Sequence, residues 1–298
     1  MRSKVKSTMT KLGSSLIGLF FFISVFFIIY KFNKLDRILY DPLTPPSMWC
    51  DHQPCCPITL FDRSLLLVQP FSTSLVYLLG ITTLGIALYI IVNHKYQQSR
   101  IWWSIALLLW GLGAILAGTS YQAFSYEIKC EGNVFCTWTS LWEIFYLLLS
   151  VGSVNAMMIS QVYSSSTGTW RKFQIYYALV NMSIYCVLVI IGSLIPLQFL
   201  ISFGMMVLFL APSILIFFVH NLSRFLKFKK QADFKLLWVW LGLGIVISAY
   251  YLYYIFGITE ILWDRGLWFS DNDILHIGLI IWMIYIAITV KKYVVDIP

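Results

Sequence analysis

Charged residues are scarce in this chain of 298 residues, of which 11% are charged and 59% hydrophobic. Soluble domains carry roughly 25% charged residues, and a chain this apolar could not cover its surface with polar groups in water. The composition therefore excludes an ordinary soluble protein and predicts an integral membrane protein that contacts membrane lipids. The sequence also lacks repeats that interleave basic and aromatic residues, so its net charge of +8 predicts no nucleic-acid partner.

The apolar runs are long and continuous, and they lack the alternation of polar and apolar residues that a membrane β-barrel requires. A helix needs about 20 apolar residues to cross the bilayer core. The sequence accordingly predicts an all-α, polytopic transmembrane helix bundle of about eight spans. Their approximate bounds are 12–30, 66–92, 101–124, 138–163, 173–192, 196–219, 236–257 and 274–290.

The first predicted span follows a basic start, MRSKVKSTMTK, and ends at Tyr30 and Lys31 without the small-residue site of a cleaved signal peptide. We predict an uncleaved signal anchor, with a removed signal peptide as the alternative. The chain then divides into a cytoplasmic start with its anchor helix (1–35), an extracytoplasmic segment that contains cysteines (36–65) and a seven-helix core (66–298).

The basic residues orient these spans. If the N-terminus is cytoplasmic, most lysines and arginines fall on the inner side, as membrane proteins prefer. Most acidic residues fall on the outer side, and Glu143 lies just inside a span. We predict a protein of the bacterial inner membrane or plasma membrane with both termini cytoplasmic, and we expect its function at the outer end of the bundle.

The cysteines agree with this orientation. Five of them are predicted on the outer, disulfide-permissive side, namely Cys50, Cys55, Cys56, Cys130 and Cys136. Cys130 and Cys136 are spaced to close a small loop, although the connectivity of all five does not follow from the sequence. A zinc ribbon is the alternative, and the stretch WCDHQPCC lacks the paired C-x-x-C spacing that would favour it.

Polar side chains that are costly within a membrane gather at the outer ends of three spans. GTSYQAFSYEIKC closes the third span with Ser120 and Glu127, WEIF opens the fourth with Glu143, and SDNDILH opens the eighth with Asp273 and His276. Carboxylates with an imidazole can share a metal ion or act as acid and base on a substrate. We predict catalytic roles for His276, Glu143, Asp273 and Ser120, and a divalent metal site formed by His276, Asp273, Glu143 and Glu127.

A structural interpretation of the same residues stays open. Asp271 and Asp273 would cap the last helix, and His276 would form a hydrogen bond with Glu143 that fixes helix packing. Ser120 would then be one of several groups that join helices by hydrogen bonds. Five glycines predict close helix approach, namely Gly111, Gly113, Gly118, Gly242 and Gly244.

The seven-helix core resembles the alkaline-ceramidase and adiponectin-receptor-like superfamily of membrane hydrolases. Ser120 in GTSYQAF, the acid Glu143 and His276 in NDILH stand at positions that this superfamily uses to hold a catalytic zinc. Phe124 and Asn272 stand where two further histidines would be. The strings GTSYQAFSYEIKC and WEIFYLLLSVGSVNAM also resemble those of uncharacterised multi-pass bacterial membrane proteins.

Three functions follow as hypotheses. The first is a ceramidase-like hydrolase of a lipid ester or amide, in which His276 binds a metal or acts as base while Ser120 donates to an oxyanion. The second is a small-ligand binding or transport protein that opens outward. The third is a non-catalytic assembly or sensor component whose polar groups are all structural.

Overall fold

The computed structural model describes residues 23–51 and 53–297. In this part of the chain, seven helices are long and apolar enough to cross a membrane, which confirms the predicted all-α polytopic bundle. The predicted signal anchor lies largely outside the described residues. The description starts within that segment, at helix α1 (Ile23–Phe32).

Short connections join the seven spans, except for the longer segments before the third and the seventh. Their bounds are α2 (Pro70–Val92), α3 (Gln98–Ala117), α5 (Leu141–Ser165), α6 (Gly168–Leu194), α7 (Phe203–Phe228), α8 (Gln231–Ile255) and α10 (Asp271–Tyr293). Helix α3 continues as a π-helical segment, Gly118–Ala123. Two short helices, α4 (Ser125–Lys129) and α9 (Ile258–Trp263), precede α5 and α10.

The predicted start of the second span at residue 66 is wrong. Strand β2 (Arg63–Val68) occupies that position and pairs antiparallel with strand β1 (Cys55–Leu60). The turn residues Phe61 and Asp62 have positive φ values of 47° and 63°, as two-residue hairpins require. Helix α2 begins only at Pro70, a residue suited to the first turn of a helix.

Helix α7 runs well past its predicted end at residue 219. It continues to Phe228, so the connection to α8 is reduced to Lys229 and Lys230. Two of the basic residues that indicated a loop, Arg224 and Lys227, instead lie on the last turns of α7, where long side chains can reach the polar headgroups from an apolar helix. His220 consequently lies within a helix rather than beside a loop.

Helix α5 is the central helix of the bundle and packs against α3, α6 and α7. In its most apolar stretch 89% of the residues are buried, against 22–44% in the other six spans. A helix so enclosed must satisfy its polar side chains with protein partners. Ser153 and Ser160 do so by donating to the carbonyl oxygens of Ala106 and Ser99 on α3, at 2.7 and 2.6 Å.

Close helix approach is confirmed between α2 and α3. A Cβ atom on Gly118 would lie 2.3 Å from a methyl carbon of Val76, and one on Gly111 would lie 2.9 Å from Leu84. The prediction is wrong for Gly244, where no atom lies within 4 Å of such a Cβ. That position of α8 faces open space.

The segments 33–69 and 124–140 pack together at one end of the bundle, and we call them the cap. Backbone hydrogen bonds join the two segments, for example from Trp138 to Ile38 at 2.8 Å. Disulfides link Cys50 to Cys55 and Cys130 to Cys136, which confirms the predicted Cys130–Cys136 loop and leaves no cysteine set for a zinc ribbon. The opposite end, where α5, α7 and α10 finish, we call the basic end.

Candidate functional site

The predicted site residues fall in separate places rather than in one pocket. Ser120 and Glu143 lie together beneath the cap, while Asp273 and His276 lie in the first turns of α10. Glu127 lies on α4, where its Oε1 accepts a hydrogen bond from the backbone N–H of Leu66 in β2 at 2.5 Å. This contact lies on the edge of β2 that does not pair with β1, and it joins the hairpin to α4.

The centre of the cap-end site is an ion pair that the sequence did not predict. The Nζ of Lys129 lies 2.5 Å from Oε1 of Glu143, and both side chains are only 2% exposed. Lys129 also donates to the hydroxyl of Tyr40 at 3.3 Å and to the carbonyl oxygen of Trp138 at 3.4 Å. The ammonium therefore joins both cap segments to the first turn of α5.

The π-helical segment supplies the second set of contacts to Glu143. Its wider turn appears in the hydrogen bond from the N–H of Phe124 to the carbonyl of Thr119, five residues back, at 3.0 Å. Ser120 in this segment donates to Oε1 of Glu143 at 2.9 Å and lies 2.6 Å from the hydroxyl of Ser140. The same carboxylate oxygen thus receives both an ammonium and a hydroxyl.

Aromatic rings surround the Lys129 ammonium. The ring centroid of Tyr121 lies 4.9 Å from Nζ and that of Tyr40 lies 5.8 Å away, within the range of cation–π attraction. Tyr121 is 43% exposed and contacts Tyr146 edge-to-face at 6.1 Å. Together the rings and the carboxylate form a cation-binding cage, and the chain fills it with its own lysine.

Electrostatics keep this lysine charged. Burial alone would lower the pKa of Lys129, but the carboxylate of Glu143 and the hydroxyl of Tyr40 favour the ammonium, and the net pKa is raised above its usual value. An ammonium cannot accept a proton from Ser120. The Ser120–Lys129 arrangement therefore lacks the neutral amine that a serine–lysine hydrolase needs as its base.

The predicted hydrogen bond between His276 and Glu143 is wrong. Helix α10, which carries His276, packs mainly against α2 and α8, whereas Glu143 starts α5 and is enclosed by α3 and the cap. Among the described residues, Nδ1 of His276 has no hydrogen-bond partner. The imidazole is buried without the carboxylate that would orient it as a general base.

Asp273 takes the structural role that the sequence left open. Its carboxylate accepts a hydrogen bond from the backbone N–H of Ser270 at 2.6 Å, forming a capping box at the start of α10. Asp271, two residues earlier in the first turn of α10, accepts a hydrogen bond from the hydroxyl of Thr259 at 3.3 Å. Helix capping thus accounts for the Oδ2 atom of Asp273, while its Oδ1 is buried without a hydrogen-bond partner among the described residues.

The predicted metal site does not fit the arrangement of its donors. Within 23–51 and 53–297, no group of three or more His, Cys, Asp or Glu side chains could hold a metal ion. Asp273 forms the capping box at the start of α10, and Glu127 accepts a hydrogen bond from the β1–β2 hairpin. The fourth predicted ligand, Glu143, is neutralised by Lys129, so the zinc implied by the hydrolase resemblance has no donor set here.

A second polar cluster lies at the basic end. Arg224 on α7 donates from Nε to the carboxylate of Asp233 on α8 at 2.8 Å. It also donates from Nη1 to the carbonyl oxygen of Ser165 at 2.7 Å. These contacts join the last turn of α5 to both α7 and α8. From the sequence, Arg224 was only one of the basic residues on the predicted inner side, and no ion pair was predicted for it.

His220 belongs to this cluster and has a defined tautomer in its neutral form. The indole N–H of Trp170 donates to its Nδ1 at 3.0 Å, which places the ring proton on Nε2. Nε2 then faces the hydroxyl of Ser165 at 2.9 Å as a donor, and Ser165 donates to the carbonyl of Gln161 at 2.8 Å. The imidazole does not receive a proton from Ser165, so the pair is not a serine–histidine nucleophile.

Residues 73–294 match a family described as a family of unknown function (DUF6962). The match covers most of the chain. The protein belongs to this family. No curated protein and no solved structure matches the chain.

The DUF6962 stretch contains both ion pairs, Lys129–Glu143 and Arg224–Asp233, and the whole of α5. The hairpin and Tyr40 precede residue 73 and lie outside it. The part of the site within DUF6962 is therefore the ion pair and the π-helical segment that meets it.

A sequence signal for the cap-end pair was present and overlooked. Lys129 is the only basic residue between positions 101 and 170, and Glu143 is the one acid predicted inside a span. An acid at membrane depth calls for a partner, and Lys129 is the nearest cation along the chain. The pairing was not predicted because Lys129 lies outside the predicted spans.

Proposed function

We propose that this DUF6962 protein is a non-catalytic membrane sensor or assembly component, in which the cap faces the extracytoplasmic side and helix α5 links it to the opposite face. Both termini would be cytoplasmic, in a bacterial inner membrane or plasma membrane. The observation that carries the proposal is that polar contacts of an ion pair tie α5 to its surroundings at each end.

The cap-end tie gives the protein a way to register events on the cap. Lys129 lies one residue before the disulfide at Cys130 and binds Tyr40 from the other cap segment. A partner that shifts either cap segment would act on the ammonium that neutralises Glu143. Because Glu143 lies in the first turn of α5, such a shift would reach that helix directly.

The contacts of Arg224 at the basic end would pass a displacement of α5 on to α7 and α8. The carbonyl oxygen of Ser165, in the last turn of α5, accepts a hydrogen bond from Arg224, and Arg224 holds Asp233 at the start of α8. Between these ends α5 is buried almost throughout. Helix α5 is enclosed and has polar contacts at each end, so a displacement of one end would act on the contacts at the other.

A ceramidase-like hydrolase is the competing proposal, and one contact favours it. Ser120 donates to Glu143 at 2.9 Å, the geometry of a hydroxyl beside a carboxylate base. However, Ser120 is fully buried and Glu143 is 1% exposed, and Lys129 already neutralises the carboxylate. A substrate would therefore require the cap to move away before it could reach Ser120.

Hydrogen–deuterium exchange in lipid nanodiscs tests the sensor proposal. In Lys129→Met we expect faster exchange at the start of α5 and also at the basic end, in 161–170 and 221–235. Lys34→Met, which removes an exposed cationic residue of the cap, should change neither region. Leu79→Ala, which removes buried side-chain volume in α2, controls for a general loss of stability.

Increased exchange confined to the cap end would contradict the link through α5. The same purified variants also separate the hydrolase from the sensor. Turnover of a ceramide or a lipid ester by the wild-type protein, lost in Ser120→Ala, would establish the hydrolase. The sensor proposal expects no turnover above that of empty nanodiscs.

A further inference from the structure

A groove of about 490 Å³ lies between α8 and α10. Gly242 lines it, and only a ring carbon of Trp282 comes within 4 Å of where a Cβ would stand, at 3.5 Å. Trp238 and Ile281 flank the groove and are 44% and 64% exposed. The missing side chain at Gly242 gives the groove its depth, on a surface that meets lipid in the membrane.

The helices meet closely at one end of this groove. A Cβ on Gly278 would lie 2.8 Å from the methyl carbons of Val246. Val246 of α8 therefore packs directly against the backbone of α10 at this position. Toward the basic end the lining continues with Tyr285 and ends at Lys235. The phenol of Tyr285 donates to the carbonyl oxygen of Lys235 at 3.3 Å and joins the two helices at that mouth.

Lys235 places a positive charge at the mouth. Within the described part of the chain it forms no salt bridge, and Asp233, the acid nearest to it on α8, is bound to Arg224. Lys292 lies seven residues after Tyr285 on α10, on the same helix face, and is exposed. Lys235 therefore lines the mouth of the groove, and Lys292 adds a second positive charge farther along the Tyr285 face of α10.

A second groove provides the comparison. It lies between α7 and α8, has a volume of about 400 Å³ and is lined by apolar side chains, among them Leu210, Ile214 and Trp240. No charged residue lines it. An acyl chain could lie in either groove. Of these two grooves, only the one that ends at Lys235 offers a cation to a lipid headgroup.

We propose that the α8–α10 groove binds an anionic phospholipid of the adjacent leaflet. Its acyl chain lies along the Gly242 side of the groove, and its phosphate meets Lys235 and Lys292. Charge complementarity selects this occupant, because basic pockets between membrane helices attract anionic headgroups. The site is independent of the cap and of the function proposed above.

Native mass spectrometry of the full chain in detergent, titrated with phosphatidylglycerol, tests the proposal. We expect the wild-type protein to bind it in preference to phosphatidylcholine, and Lys235→Glu and Gly242→Leu each to weaken the apparent affinity about tenfold. Glycerophosphoglycerol, the headgroup without acyl chains, should not compete, since the groove supplies the contact to the chains.

Two matched variants control for nonspecific effects. Gly244→Leu introduces the same side chain on α8 in a separate groove that no charged residue lines, and Lys172→Glu reverses an exposed charge on α6. Both should bind like the wild type, with thermal midpoints confirming that all four variants fold. Equal binding of both lipids, competition by the free headgroup, or equal losses in the control variants would each overturn the proposal.

Discussion

The two ion pairs of the described bundle differ in their access to water. The side chains of Lys129 and Glu143 are each 2% exposed, whereas Arg224 is 20% exposed and its partner Asp233 is 3% exposed. A charge left alone at the cap end would have no route to solvent. At the basic end the guanidinium of Arg224 is partly exposed, so this charge can be solvated when the pair separates.

This difference assigns different physical roles to the two pairs. Removing one partner of a fully buried pair leaves an uncompensated charge, which is far more costly than loss of an exposed pair. The cap-end pair should therefore act as a fastener that holds or releases the cap as a unit. The basic-end pair should be adjustable, because the guanidinium of Arg224 is partly exposed and can be solvated when the pair separates.

The largest effect is expected for Lys129→Met. Loss of the ammonium strands the Glu143 carboxylate and should lower the free energy of unfolding by about 3–5 kcal/mol. Chemical unfolding in detergent, followed by tryptophan fluorescence, measures this loss. A decrease no larger than that of Lys34→Met would show that Glu143 finds water or another partner, and would remove the contrast with the basic end.

A smaller effect is expected when the loop beside Lys129 is released. The double substitution Cys130→Ser and Cys136→Ser opens a short covalent loop and should cost about 2 kcal/mol. The same unfolding assay measures it, with Cys56→Ser, at a partly exposed free cysteine of β1, as the control. If Lys129→Met costs nothing further in the opened loop, the disulfide and the ion pair act as one fastener.

At the basic end, Asp233→Leu should cost only about 1–2 kcal/mol, because the guanidinium of Arg224 that it leaves unpaired is 20% exposed and can be solvated. A loss as large as that of Lys129→Met would mean that the basic end is as dry as the cap end. The comparison between the two ends would then fail.

The pH dependence gives the finest distinction. The raised pKa of Lys129 means that the folded chain holds this proton more tightly than the unfolded chain. The contribution to stability is thus fully present below the unfolded pKa of about 10.5, and it is lost as the pH rises through the higher folded pKa. The difference in free energy of unfolding between wild type and Lys129→Met should stay constant from neutral pH up to about pH 10.5 and shrink only at higher pH.

The seven spans could be read from the sequence because membrane helices are specified by local apolar runs. Their ends were less predictable. Basic side chains on α7 resembled a loop, and the apolar strand β2 resembled the first turn of α2, because both patterns are short and lack a distinct period. The close approach of α2 and α3 at Gly118 was also predicted from a single residue type.

The candidate site was harder to predict because its partners are set by packing. Asp273 acts through a contact three residues away, so the sequence held the information for its capping role. His276 and Glu143 were paired by depth alone, yet the neighbours of α10 and α5 differ. Lys129 reaches Glu143 only because the π-helical segment and the disulfide loop turn α4 back over the bundle.

A double-mutant cycle on Lys129 and Glu143 tests the central claim most directly. Lys129→Met and Glu143→Leu are each expected to be strongly destabilising, and the double variant much less so than their sum, with an interaction free energy above about 2 kcal/mol. Such coupling would show that each charge is tolerated under the cap only because of the other. Additive losses in the double variant would contradict the claim that this pair fastens the cap to helix α5.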